Sequence, residues 1–178
     1  MTPAELKGLV RTIADFPAPG VQFRDITTLI GHGAGLAASV DWLAEQASAS
    51  GVTRIAGMEA RGFIFGAAVA ARLGLGFVPV RKPGKLPCAT IGVDYALEYG
   101  TDRLEIDPLG VTAGEKVAIV DDLLATGGTA RAAIELLRAA GAEVEAALFV
   151  IDLPELGGAK RLAATGVRVD AIMQFEGH

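Results

Sequence analysis

The sequence predicts an α/β fold, a central and mostly parallel sheet flanked by helices. Apolar runs alternate with amphipathic segments from about residue 35 onward, which is the pattern of strands joined by crossover helices. The chain has 178 residues, 51% of them hydrophobic, enough for one full core, and no composition break suggests a second. Residues 1–178 therefore read as a single domain, and the apolar run 117–120 leads into a glycine-rich turn of the kind that binds ligands in such sheets.

Residues 1–33 look like an appended arm ahead of the βα rhythm. Residues 35–49 (GLAASVDWLAEQASA) read as a helix, 54–58 as a short buried strand, 62–73 as an alanine-rich helix and 77–80 as a second strand. The pattern then breaks. Residues 81–107 hold Pro, Gly, aromatic and polar residues, and 95–99 and 103–107 alternate like hairpin arms around Gly100-Thr101-Asp102. An interruption of that length is uncommon in a compact domain unless it is a lid or a binding loop. An exposed hairpin with no role is the alternative. The rhythm resumes with a strand at 116–120, a helix at 128–140, a strand at 144–151, a helix near 156–165 and a last strand at 167–173.

The formal net charge of -5 leaves no electrostatic footprint for nucleic acid, and the basic residues cluster only locally, as in Arg81-Lys82-Pro83-Gly84-Lys85. The N-terminal segment has no basic stretch followed by an apolar run, and no window of about 18 residues is free of charges or turn formers. A cytoplasmic protein with no nucleic-acid partner and no membrane span is expected. The single cysteine, Cys88, has no internal disulfide partner and lacks the neighbours of a metal site.

VAIVDDLLATGGTA, residues 117–130, carries the chemistry. Main-chain N–H groups at a helix start carry about half a positive charge and bind phosphate where side chains leave the approach open. Ala125, Gly127 and Gly128 meet that demand, and Thr126 and Thr129 add hydroxyl donors. No lysine follows the glycines, which excludes a nucleoside triphosphate P-loop. Two aspartates beside a phosphate cradle would repel it unless they face another part of the ligand. Neighbouring strand residues point to opposite faces, so at least one of Asp121 and Asp122 can accept hydrogen bonds from sugar hydroxyls. A phosphorylated sugar fits both demands. An Asp N-cap before a glycine-rich turn accounts for one aspartate but not for the pair together with TGGT.

VAIVDDLLATGGT resembles the phosphoribosyl pyrophosphate (PRPP) binding motif of the type I phosphoribosyltransferases. FPAPGVQFRDITTL, residues 16–29, is similar to the purine-recognition arm of the adenine phosphoribosyltransferases, and GMEARGFIFG, residues 57–66, to their pyrophosphate loop. With RKPGKLPCAT and YALEYGTDRLEI, the likeness covers essentially the whole chain in order. It implies the type I phosphoribosyltransferase fold, with an N-terminal hood arm at 1–33 and a long flexible β-hairpin lid at 81–107. It also implies the reaction of adenine with PRPP to give AMP and pyrophosphate, with Mg2+ held mainly through PRPP or pyrophosphate oxygens and no dedicated protein metal site.

The resemblance assigns further roles. Asp121 and Asp122 hold the ribose 2' and 3' hydroxyls, and residues Ala125, Thr126, Gly127, Gly128 and Thr129 hold the 5'-phosphate. Glu59, Ala60 and Arg61 form the pyrophosphate turn. Arg81 and Lys85 reach pyrophosphate in part across a dimer interface, so a homodimer is expected. Gln22, Phe23, Arg24 and Leu123 receive adenine, although FRD also reads as a structural turn with an Arg24–Asp25 ion pair. Glu98 handles the purine proton and Tyr99 closes over the site, with Gly92 and Gly100 as hinges. Two rivals remain at this stage: a xanthine or other purine phosphoribosyltransferase, and a non-catalytic PRPP-sensing regulator.

Overall fold

The computed structural model describes residues 1–96 and 100–177. Helix α1 (Pro3–Lys7) opens with a capping box, in which the Thr2 hydroxyl accepts from the Glu5 N–H and the Glu5 carboxylate accepts from the Thr2 N–H. Strands β1 (Arg11–Ala14) and β2 (Gln22–Asp25) form an antiparallel pair with Arg11 opposite Asp25. A short α2 (Thr27–Ile30) leads to α3 (Gly33–Ala49), whose first turn is capped by the His32 ring accepting from the Gly35 N–H at 3.0 Å. Leu6, Val10, Ile26 and Leu29 are buried in the main core. The first 33 residues are thus packed into the domain rather than merely appended to it.

Strand β3 (Arg54–Met58), helix α4 (Arg61–Leu73) and strand β4 (Gly76–Val80) follow, with Gly74 ending α4 at φ +67°. Beyond β4, the pair β5 (Ile91–Ala96) and β6 (Thr101–Ile106) makes the expected hairpin in a shifted register. Asp102 faces Tyr95 and Thr101 faces Ala96, so both are strand residues and not part of the turn. The first arm begins at Ile91 because Ile91 pairs with the fully buried Ile106. Leu104 and Ile106 are buried in the second core cluster, and each such side chain stabilises by about 1.5–3 kcal/mol. The root of the hairpin is therefore part of the fold, not an exposed ornament.

Strand β7 (Lys116–Leu124) is followed by α5 (Gly128–Ala139), β8 (Glu143–Asp152), α6 (Gly158–Ala163) and β9 (Arg168–Gln174). β7 runs four residues beyond its expected end, because β8 extends to Asp152 and gives Asp121, Leu123 and Leu124 partners in Phe149, Ile151 and Asp152. The predicted helix at 156–165 is shorter: Pro154–Leu156 forms a 3-10 turn, and Gly157 at φ +72° sets a new start for α6.

The five-stranded sheet has the order β4-β3-β7-β8-β9 and all its pairings are parallel. Alternate residues of the strands feed two cores. Ile55, Val120 and Leu148 join α3 and α4 on one face, while Met58, Ile119 and Phe149 join α5, α6 and β6 on the other. The chain progresses outward through β4 on one side of β3 and through β8 and β9 on the other side of β7. The junction between β3 and β7 is therefore the switch point, where the two strand ends diverge into their loops and leave a crevice.

Candidate active site

Two turns meet at that crevice. After β3, Glu59-Ala60 leads directly into α4, whose N-cap, Ala60, has no side-chain cap. After β7, residues 125–127 lead into α5, capped by Gly127 at φ +83°, so no aspartate caps this helix. The first N–H groups of each helix lack intrahelical partners and present a partial positive charge to the space between them. That space is a cavity of about 430 Å³ lined by Glu59, Ala60, Arg61, Lys82 and the continuous stretch from Asp121 to Ala130.

Both aspartates line this cavity although they are adjacent in the strand, because each is held differently. Asp122 is buried and its Oδ2 accepts from Arg61 Nε at 2.5 Å. Asp121 lies beside the first turn of α4, where a Cβ on Gly62 would come 2.7 Å from its Oδ1. Burial, and then the neighbouring Asp122 carboxylate, push the Asp121 carboxyl well above the usual carboxylate range, against the Asp122 N–H that donates to it at 2.9 Å. Arg61 opens α4, where a cation faces the wrong end of the helix dipole, and Asp122 compensates for it.

The basic residues divide unexpectedly. Arg81 turns away from the cavity: its Nε donates to Glu59 Oε2 at 3.2 Å, its Nη1 donates to the Lys85 carbonyl at 3.2 Å, and its guanidinium lies 5.8 Å from the Phe63 ring centre. Lys85 is exposed and lies outside the cavity lining. Lys82, between them, lines it. Its ammonium donates to the Asp102 carboxylate and to the Tyr95 hydroxyl. Burial works against the charged form of Lys82, but those two hydrogen bonds outweigh it and hold the ammonium above its ordinary value. Glu59 accepts from the Lys82 N–H at 2.8 Å as well as from Arg81, so its carboxylate organises the basic segment. The alternation of a strand end was a signal for Lys82, since Arg81 and Lys82 must face different ways.

Within the cradle, the Thr129 hydroxyl lies 3.5 Å from the Tyr95 hydroxyl of the hairpin. Leu123 reaches the cavity, whereas Gln22, Phe23 and Arg24 lie outside its lining. Phe23 packs edge-on against Phe16, with ring centres 5.1 Å apart. Arg24 makes no pair with Asp25. Its Nη1 donates to the Thr12 hydroxyl, its Nη2 donates to the carbonyls of Glu176 and Gly177, all at 2.7 Å, and it covers the Phe175 ring. Asp25 pairs with Arg11 instead, as expected of neighbours that point to opposite sides of a strand. Gly92 is a paired strand residue opposite Glu105, and its missing side chain makes room for the Arg103 guanidinium, so a hinge role has no support there. Glu98 and Tyr99 lie outside the described residues. Among the described residues, no group of three or more His, Cys, Asp or Glu side chains is placed to hold a metal ion, and no helix is long and apolar enough to cross a membrane.

A phosphoribosyl transferase domain model matches residues 29–173. An adenine phosphoribosyltransferase of Erythrobacter litoralis is 71% identical over 178 residues, which is 100% of each chain. The chain belongs to the adenine phosphoribosyltransferase family. A second family member, from Novosphingobium aromaticivorans, is 69% identical, again over the full length of both chains. Among solved adenine phosphoribosyltransferases, that of Thermoanaerobacter pseudethanolicus superimposes with a TM-score of 0.93 at 45% identity, covering 98% of this chain and 100% of its own. The Saccharomyces cerevisiae enzyme, complexed with an imino-altritol bisphosphate and adenine, gives 0.90 at 36% identity, over 96% and 98%. The family's central parallel sheet flanked by helices is the architecture described above.

Proposed function

We propose that this protein transfers the 5-phosphoribosyl group of PRPP to adenine, giving AMP and pyrophosphate, as an enzyme of purine salvage. One observation carries the reading: a single cavity joins a main-chain amide cradle, three carboxylates and two cations at the switch point of the sheet. The full-length likeness to adenine phosphoribosyltransferases supports the choice of base.

In this reading the 5'-phosphate rests on the N–H groups of residues 125–129 and the ribose diol on Asp121 and Asp122. Breaking the bond from C1' to pyrophosphate develops positive charge on the sugar and negative charge on the leaving group. The buried Asp122 carboxylate favours the first, and Arg61 and Lys82 face the second. Groups preorganised in this way contribute a few kcal/mol each where water is excluded. Carboxylates that line the same cavity, with no cage of their own, fit a magnesium ion arriving with PRPP, where it would neutralise phosphate charge. Leu123 contacts the base beneath the hood arm, with Gln22, Phe23 and Arg24 on that arm. Glu98 manages the purine proton and Tyr99 covers the site. Arg81 and Lys85, which turn from the cavity of their own chain, act from a partner subunit in a homodimer, and the enzyme works in the cytoplasm.

Steady-state assays with adenine, hypoxanthine, guanine and xanthine test the function directly. Adenine is expected to give the highest kcat/KM. Faster turnover of xanthine would replace the assignment, and no turnover of any base with PRPP and magnesium would remove it.

A further inference from the structure

We propose that Arg161 is a positioning residue for the phosphate loop, acting through the peptide that joins Thr126 to Gly127. The proposal rests on the reading of residues 125–129 as the 5'-phosphate cradle. Arg161 stands on α6, one helix and one strand beyond the loop, and does not line the 430 Å³ cavity. Its Nη1 donates to the Thr126 carbonyl and to the Leu156 carbonyl, both at 2.8 Å.

A peptide is a rigid plane whose carbonyl and N–H point in opposite directions. Fixing the Thr126 carbonyl therefore fixes the direction of the Gly127 N–H, one of the amides that would face phosphate. A cationic donor on the carbonyl also polarises the peptide in the sense that makes its N–H the stronger donor. Gly127 sits at φ +83°, a conformation that glycine adopts freely, so glycine alone does not fix this peptide and an outside restraint is needed.

A second contact points the same way. The first turn of α6 lies against the loop backbone, so close that a Cβ on Gly158 would stand 2.3 Å from the Ala125 carbonyl oxygen and 3.1 Å from the Gly127 nitrogen. A Cβ on Gly127 would stand 3.2 Å from Gly158 Cα. Two glycines thus let two backbones touch, and Arg161, one turn further along α6, closes the contact with a charge-assisted hydrogen bond. The side chain is exposed, so the geometry is held by this bond and not by burial.

The test compares Arg161→Met, which keeps the apolar stem, and Arg161→Lys with the wild type. Calorimetry gives Kd for AMP, initial rates give KM for PRPP and for adenine, and thermal melting gives Tm. Arg161→Met is expected to raise the AMP Kd and the PRPP KM about tenfold, the loss expected of one charge-assisted hydrogen bond weakened by solvent, with KM for adenine within about twofold. Arg161→Lys, which keeps one charged donor, is expected to recover part of the loss. Unchanged AMP affinity in Arg161→Met overturns the proposal, and so does a rise in adenine KM equal to that in PRPP KM, which marks general loosening. A lowered Tm with AMP affinity intact also overturns it. Failure of the wild type to bind AMP would instead remove the cradle reading and the proposal with it.

Discussion

Gly62→Ala separates the proposed sugar role of Asp121 from its place in the fold. Gly62 is a buried helical residue in the first turn of α4, where alanine is preferred over glycine by up to about 1 kcal/mol. The new Cβ would stand 2.7 Å from Asp121 Oδ1, 3.3 Å from its Cγ and 3.1 Å from the Val120 carbonyl oxygen. The nearest of these atoms ends a side chain that can rotate, so the carboxylate withdraws by roughly 0.7 Å to reach ordinary contact. The buried Asp122 N–H then loses its acceptor, at a cost of about 1–3 kcal/mol against a helix gain of up to about 1 kcal/mol, and the Val120 carbonyl, a backbone atom, has to yield as well. Stability is expected to fall by about 1–2 kcal/mol, or about 2–8 °C in Tm for a chain of this size. Activity has no such compensation. A misplacement approaching 1 Å costs on the order of a hundredfold, so kcat/KM for PRPP is expected to fall by about 10- to 100-fold. Initial rates of AMP formation against PRPP, beside a melting curve, measure both. A variant with wild-type kcat/KM would refute the reasoning, since it would show that the Asp121 carboxylate can move without consequence.

Asp122→Asn keeps shape and burial but weakens a sugar acceptor and the charge that faces Arg61 Nε at 2.5 Å. Its kcat/KM is expected to fall at least about tenfold with the fold unchanged by circular dichroism, and near-normal turnover would count against the sugar role. Arg24→Met removes the fork that ties the Thr12 hydroxyl to the carbonyls of Glu176 and Gly177. KM for adenine is expected to rise several-fold, about 1 kcal/mol, with KM for PRPP held within twofold; parallel rises in both would deny the arm a special part in base binding. Asp25 is held at about 2 by the Thr27 hydroxyl, the Thr27 N–H and Arg11, below its ordinary 3.8. A depressed carboxyl stabilises the native state above its unfolded pKa and loses that contribution as pH falls through its folded one. Urea melts of wild type and Asp25→Asn are therefore expected to differ most above pH 4 and to converge towards pH 2, and a constant gap would show that titration of Asp25 is not involved.

The βα rhythm was legible because strands buried on both faces leave continuous apolar runs, and 54–58 matches β3 at both ends. The aspartates hid the true end of β7, since apolar periodicity stops at Val120 while the ladder continues on the partners that β8 supplies. The small-residue turn from β7 into α5, which lines the cavity, was legible for a different reason: small residues at a strand-to-helix turn have few other uses. Lys82 was harder to read, because Arg81, Lys82 and Lys85 are chemically alike: alternation says only that Arg81 and Lys82 part, and the bridge between Arg81 and Glu105 decides which of them turns inward. Gly62, Gly158 and Arg161 act across elements on active-site groups 31 or more residues away, and nothing local to them in the sequence marks those contacts.

The electrostatics around the cavity explain why two cations in its lining, Arg61 and Lys82, and a third beside it, Arg81, can wait together without unfolding the site. Arg61 is held by Asp122, Arg81 by Glu59 and Lys82 by Asp102. Unpaired, three such cations beyond the ends of β3 and β4 would repel one another, and each acid reduces that cost before any ligand arrives. The pairs are asymmetric in the same sense. The side chain of Arg61 is 50% exposed against 8% for Asp122, that of Arg81 31% against 17% for Glu59, and that of Lys82 36% against 27% for Asp102. The acids are set into strands and turns, while the cations reach them on long flexible stems with one side in water. A polyanion entering the cavity therefore competes for the partner that can move, and it can draw the cation outward without dragging the backbone. In the proposed function that exchange would favour a phosphorylated ligand: a neutral sugar would have to break the same ion pairs with no charge to offer in return.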